Sequence, residues 1–203
     1  VSGLTSIRTV EIISDGTGVA QALSMELEAR GIQGLVVDNA DSLTGTAQMV
    51  IYLGGLTPAI TFEDAVAINR EAFKAATTMA EKFSTERGIF VTVQDTGGDF
   101  GMSGAKTRAW LGGLAALVKT AQKEWTLSTA RAIDIERGER LPGDIARAIA
   151  DELWQGGAEV EVALDAQGNR RTLAAIPTKV GLSGRSINKS SVIVVSGGAR
   201  GVT

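Results

Sequence analysis

Thr9-Val10-Glu11-Ile12-Ile13-Ser14, then Asp15-Gly16-Thr17-Gly18, then Val19, Leu23 and Leu27 before Gly31, reads as a strand, a tight turn and a helix. β-branched residues fill the first run. Two glycines turn the chain, and apolar residues then recur at near-helical spacing until a glycine stop. The same alternation continues. Gly34–Asp38, Met49–Leu53, Ile89–Val93 and Ala130–Ile135 read as further strands, and Gly54-Gly55 closes the second of these. The segment after Pro58 is the clearest amphipathic helix, with Phe62, Val66, Phe73, Ala76, Ala80 and Phe83 on one stripe. Trp110, Leu114, Leu117, Ala121 and Trp125 mark another helix, and Ile145, Ile149 and Leu153 a further one. Val160–Leu164 alternates, and Thr172–Ile176 reads as its hairpin return across Asp165–Asn169. Repeated strand–helix units imply an α/β fold: a parallel sheet covered on both faces, with right-handed crossovers.

Composition narrows the chemistry. The 203 residues fit one domain, or one domain with a fragment of a second. There is no cysteine, which excludes disulfides, thiolate metal sites and cysteine nucleophiles. There is no histidine, which removes a Ser-His-Asp triad, a histidine base and histidine metal ligands. A net charge of -3 and a pI near 5.1 give no general pull toward nucleic acid or an anionic membrane. No apolar run is long enough to span a bilayer, and no secretory signal opens the chain. A chain beginning at valine reads as a piece of something longer, and a cytoplasmic location is expected.

The glycine turns carry the candidate sites. Val192-Ile193-Val194-Val195 reads as a new buried strand that runs into Ser196-Gly197-Gly198-Ala199-Arg200-Gly201. Glycines there let the backbone approach a pyrophosphate, and a following helix would offer its N-terminal amides. Arg200 could take an adenosine 2′-phosphate, which favours NADP over NAD. An ordinary glycine-rich turn is the alternative. The earlier turn, Asp15 to Gln21, has two glycines in place, but Gln21 stands at the third position, and a structural turn without ligand is expected. The Gly97-Gly98-Asp99-Phe100-Gly101 loop lies where open α/β sheets bind ligands, yet no base or nucleophile accompanies it.

Trp110 to Leu117, then Lys123-Glu124-Trp125, then Arg131 to Ile135 resemble the ketoreductase region of polyketide and polyunsaturated-fatty-acid synthases. Asp15–Ala20 and the closing Ser196–Thr203 extend that resemblance to nearly the whole chain. The resemblance implies a short-chain-dehydrogenase-like ketoreductase in two halves: a truncated Rossmann-like half that binds no cofactor, and a catalytic half that opens on an NADPH turn. It implies residues 1–176 as the structural subdomain, 177–190 as a polar linker, and 191–203 as the start of the catalytic subdomain. Ser196, Gly197, Gly198, Ala199, Arg200 and Gly201 would then hold NADPH. The implied partners are the catalytic subdomain, other domains of the parent synthase and an acyl carrier protein, with no nucleic acid and no membrane. The family's proton-donating tyrosine and its lysine have no counterpart: Tyr52 is the one tyrosine, four residues before Leu56. Tyr52 reads as core, no catalytic residue is carried over, and the chain alone is expected to reduce nothing.

Other residues read as structural. Gly112 and Gly113 inside a helix suggest a close neighbour, either the sheet or a helix of the catalytic half. Trp110 and Trp125 read as core or interface anchors, Asp95 and Asp99 as hydrated loop acids, and Arg108, Lys119 and Lys123 as a solvated face. Two alternatives stay open: a free-standing Rossmann-like nucleotide-binding enzyme, and a binding module of the same fold.

Overall fold

The computed structural model describes residues 1–57, 61–104, 108–178 and 187–194. It divides into two units, Val1–Leu173 and Ala174–Thr203. The first unit holds every described helix and strand. In order they are β1 (Thr9–Ile13), α1 (Val19–Glu28), β2 (Gln33–Val37), β3 (Met49–Gly55), α2 (Phe62–Thr85), β4 (Ile89–Gln94), α3 (Gly112–Glu124), β5 (Thr129–Ile135), α4 (Pro142–Gln155), β6 (Glu161–Leu164) and β7 (Arg170–Arg171).

The strands form one sheet in the order β2-β1-β3-β4-β5-β6-β7. The first six are parallel, and β6 and β7 pair antiparallel. The fold is therefore α/β and Rossmann-like. The usual doubly wound order, 3-2-1-4-5-6, has a further strand outside the second. Here the sheet ends at β2, and a single 3-10 turn at Ala40–Ser42 takes the place of a strand–helix unit.

Each face has its own core. Val10, Ile12, Ile51, Val91 and Ile133 point toward α1 and α4, against Leu23, Leu27, Ile145, Ile149 and Leu153. Ile13, Val50, Phe90 and Ala132 point the other way, against Met79 and Phe83 of α2 and Leu114 and Val118 of α3. β3 and β4 are buried along their whole length, as strands covered on both faces must be. Helix starts follow local chemistry. Thr61 and Asp64 exchange backbone N–H bonds in a capping box before α2, and Pro142 opens α4.

Three expectations are corrected. The buried stripe of α2 is Ala65, Ala72, Ala75, Ala76, Met79 and Phe83. Phe62 and Phe73 face outward, because small residues let the helix approach the sheet closely. The hairpin return is Arg170–Arg171 rather than Thr172–Ile176. Asp165 closes the loop early by accepting the Asn169 N–H at 2.7 Å and the Gln167 N–H at 3.1 Å. This sets Arg170 opposite Leu164 and Arg171 opposite Ala163. In the second unit, Val192, Ile193 and Val194 are exposed and belong to no strand. A strand of this type is buried only between neighbours, and none pairs with them among the described residues. Val195 lies outside the described residues.

Candidate functional site

The loops leaving the carboxyl ends of β1, β3, β4 and β5 meet at one edge of the sheet, where doubly wound folds take their ligands. In the turn after β1, the Asp15 carboxylate is fully enclosed. It accepts the Thr17 N–H at 3.4 Å and the Thr17 hydroxyl, while Gly16 N–H goes to Ser14 Oγ at 3.0 Å. The amides that would cradle a phosphate serve the turn's own side chains. Gly18, at φ 90, provides the left-handed step into α1. Gln21, at the third position of the glycine pattern, is exposed.

Arg137 reaches into this crevice from the loop after β5. Its Nη1 donates to Thr17 Oγ1 at 3.0 Å and to the Leu56 carbonyl at 3.1 Å, and lies 3.5 Å from Asp15 Oδ2. Arg108 does the same one strand further on. Its Nη2 donates to Gly55 O at 2.8 Å, Nη1 to Thr57 O at 3.0 Å and Nε to Asp95 O. Burial lowers its pKa and nearby Asp95 opposes that shift. The expectation of a solvated Arg108 is thus corrected. Strand-end carbonyls need donors, and the guanidinium fork supplies three at once.

The loop after β4 is held from below. Asp134 is buried, and its two oxygens accept the Thr96 N–H at 2.6 Å and the Phe100 N–H at 2.8 Å. Burial pushes its carboxyl above the usual range, against the pull of those bonds. Phe100 takes a left-handed φ of 64. A side chain at Gly98 would run into the Leu164 carbonyl, so glycine is required there. Asp95 and Asp99 serve separate turns. Asp95 accepts Gly97 N–H at 3.0 Å, and Asp99 accepts Ser103 N–H at 2.8 Å. The Asp95 side chain is mostly buried rather than hydrated.

Tyr52 is core, as expected: its hydroxyl donates to Ile68 O at 2.9 Å. Lys119 and Lys123 are exposed, as expected. Gly112 and Gly113 open α3, and within this chain the neighbour that Gly113 admits is Asn69 of α2 rather than the sheet. Asn69 Nδ2 donates to the Trp110 carbonyl at 3.1 Å. Trp125 is buried edge-on to Phe83 and Phe90. Trp110 is partly exposed and edge-on to Phe62. Ser196, Gly197, Gly198, Ala199, Arg200 and Gly201 lie outside the described residues. Among the described residues, no acidic cluster could hold a metal ion, and no helix is long and apolar enough to cross a membrane.

Sequence reasoning missed the roles of Asp15, Arg108, Asp134 and Arg137. One signal was present: Arg131 and Asp134 are charges inside a strand otherwise made mostly of Ala and Ile.

The chain is 39% identical over 102 residues to part of a polyunsaturated fatty acid synthase from a Thraustochytrium species. The match covers 49% of this chain and 4% of that synthase polypeptide, so the chain spans a small fraction of the length of this relative. No protein-family model matches. Among solved structures, a short-chain dehydrogenase from Burkholderia cenocepacia in complex with NADP superposes with a TM-score of 0.59 at 14% identity, over 76% of this chain and 87% of that one. A carbonyl reductase from Pseudomonas aeruginosa gives 0.57 at 11% identity, over 82% of this chain and all of that one. A ribose-5-phosphate isomerase from Brucella melitensis gives 0.55 at 15% identity, over 78% of this chain and 92% of that one. An isomerase among reductases shows that the likeness is one of fold. The sequence match is to part of a fatty acid synthase.

Proposed function

We propose that residues 1–176 are the structural half of a β-ketoacyl-thioester reductase in an acyl-chain synthase. Its task is to support an NADPH-dependent catalytic half that reduces β-keto chains carried on an acyl carrier protein. One observation carries this reading: the crevice where a dinucleotide would lie is filled by the protein's own Asp15, Arg137 and Arg108. The residues there do not fit a pyrophosphate. The Asp15 carboxylate and the Arg137 guanidinium are taken up with each other, and the amides of Gly16 and Thr17 already have partners.

Two further features support a supporting role. The one tyrosine is locked in the core, so no proton donor of the family's kind faces the crevice. The outer face of α2 presents Phe62 and Phe73 beside Trp110, an aromatic surface of the sort that docks a second folded body. In this reading Ser196, Gly197, Gly198, Ala199, Arg200 and Gly201 form the NADPH turn of that second body. The site of action is the cytoplasm.

The test uses the chain and its parent. Purified residues 1–203 are titrated with NADPH and assayed with a β-ketoacyl thioester. The expected result is no thermal shift and no NADPH consumption, with turnover restored in a polypeptide extended through the catalytic half. NADPH oxidation by the isolated chain would overturn the proposal in favour of a free-standing enzyme. Tight NADPH binding without turnover would overturn it in favour of a binding module.

A further inference from the structure

A cavity of about 400 Å³ opens on the α2-facing side of the sheet near the amino ends of β1 and β2, far from the carboxyl edge. Its walls include Thr9, Glu11, Gln33, Leu35, Thr44 and Thr46. Glu11 is 3% exposed. One oxygen accepts the Thr44 N–H at 3.0 Å, and the other has no hydrogen-bond partner. Among the described residues Glu11 forms no ion pair, and no cationic side chain lines the cavity. A buried carboxylate without a counter-charge is costly, so the cavity favours a guest that brings a positive charge.

The guest has an approach. β2 is the last strand on this side, and Gln33 N–H donates inward to Arg8 O at 2.8 Å. Alternation then turns the N–H groups of Gly34 and Val36 away from β1. β2 itself has no proline and no charge to blunt this edge, and Leu35 is half exposed. Glu11 stands directly opposite Leu35 in the register. A residue paired with Leu35 on an added strand would lie two strand spacings from Glu11, roughly 10 Å, which a lysine and a glutamate span together.

We propose that β2 takes an added strand from an extended peptide segment, and that a lysine of that segment seats its ammonium on Glu11. The strand gives affinity through backbone bonds, and the Glu11 cavity gives the preference for a basic residue. It is independent of the ketoreductase reading, because it uses neither the crevice nor the catalytic half.

The test titrates the 203-residue chain with an end-blocked peptide of alternating threonine and valine bearing one central lysine, and with the same peptide bearing norleucine. Amide shifts and affinities are followed by NMR. The expected result is shifts centred on Gly34 and Val36, with the lysine peptide bound about tenfold tighter than the norleucine peptide. Glu11→Gln should remove that difference. Leu35→Lys should fill the cavity from within, raise the melting temperature and abolish lysine selectivity, and this variant decides the matter if Glu11→Gln does not fold. Equal affinity for both peptides, shifts at other strands, no binding at millimolar peptide, or unchanged selectivity in Leu35→Lys would each overturn the proposal and leave the cavity to water.

Discussion

Arg131 and Glu152 meet between β5 and α4 at 2.5 Å with almost no exposure, and Arg170 closes on Glu152 from β7 at 2.8 Å. Arg131 also donates to the Gly156 and Gly157 carbonyls, which tie off the end of α4. Removing one charge of such a pair strands the other. Glu152→Ala should therefore cost about 3–5 kcal/mol in urea unfolding, while a double change to apolar residues of similar volume should recover most of it. Tyr52 makes a second residue-scale prediction. Burial, helped by the nearby Glu71 charge, raises its pKa above the usual phenol range. The folded form thus holds its proton where the unfolded chain has lost it. Its contribution is intact below about pH 10 and lost as pH rises further. Phenolate absorbance should then appear with unfolding, and ionisation of Tyr52 in the still-folded protein at its ordinary pKa would contradict this. Tyr52 was legible as core because it stands inside an apolar strand. Asp134 was not, because sequence alone does not show that two loop amides converge on it.

Among the elements, α2 shows where periodicity misleads. Its aromatic residues suggest one buried stripe, yet Ala65, Ala72, Ala75 and Ala76 are the ones buried and two of the phenylalanines face out. A helix 24 residues long carries two apolar faces, and hydrophobic spacing alone does not rank them. Phe73→Ser should change the stability of this chain by no more than about 0.5 kcal/mol, whereas Phe83→Ala should cost about 3–5 kcal/mol. Calorimetry of the two variants checks the ranking. If the outer face docks the catalytic half, Phe73→Ser should weaken that association while leaving the isolated chain unchanged. The six parallel strands were legible from β-branched runs and glycine stops. The seventh was not, because Arg170 and Arg171 have no strand-like sequence and are drawn in by Glu152 and Asp165.

For the whole molecule, the sheet and its two cores follow from alternation of strand and helix patterns, and those patterns were readable. The state of the crevice was not. It depends on Arg137 meeting Asp15 from a distant part of the chain, a pairing that no local pattern encodes. Arg137→Met or Asp15→Leu alone should each destabilise by about 1–3 kcal/mol, and the double variant should cost less than their sum. A double-mutant cycle measures the coupling.

That pairing also acts as a ratchet on descent. A lineage that came to bind a nucleotide here would first have to discard one charge and live with the other marooned. Either intermediate is a weaker protein with nothing gained. A fold that ties its first turn to an internal guanidinium has no stepwise route to an open one.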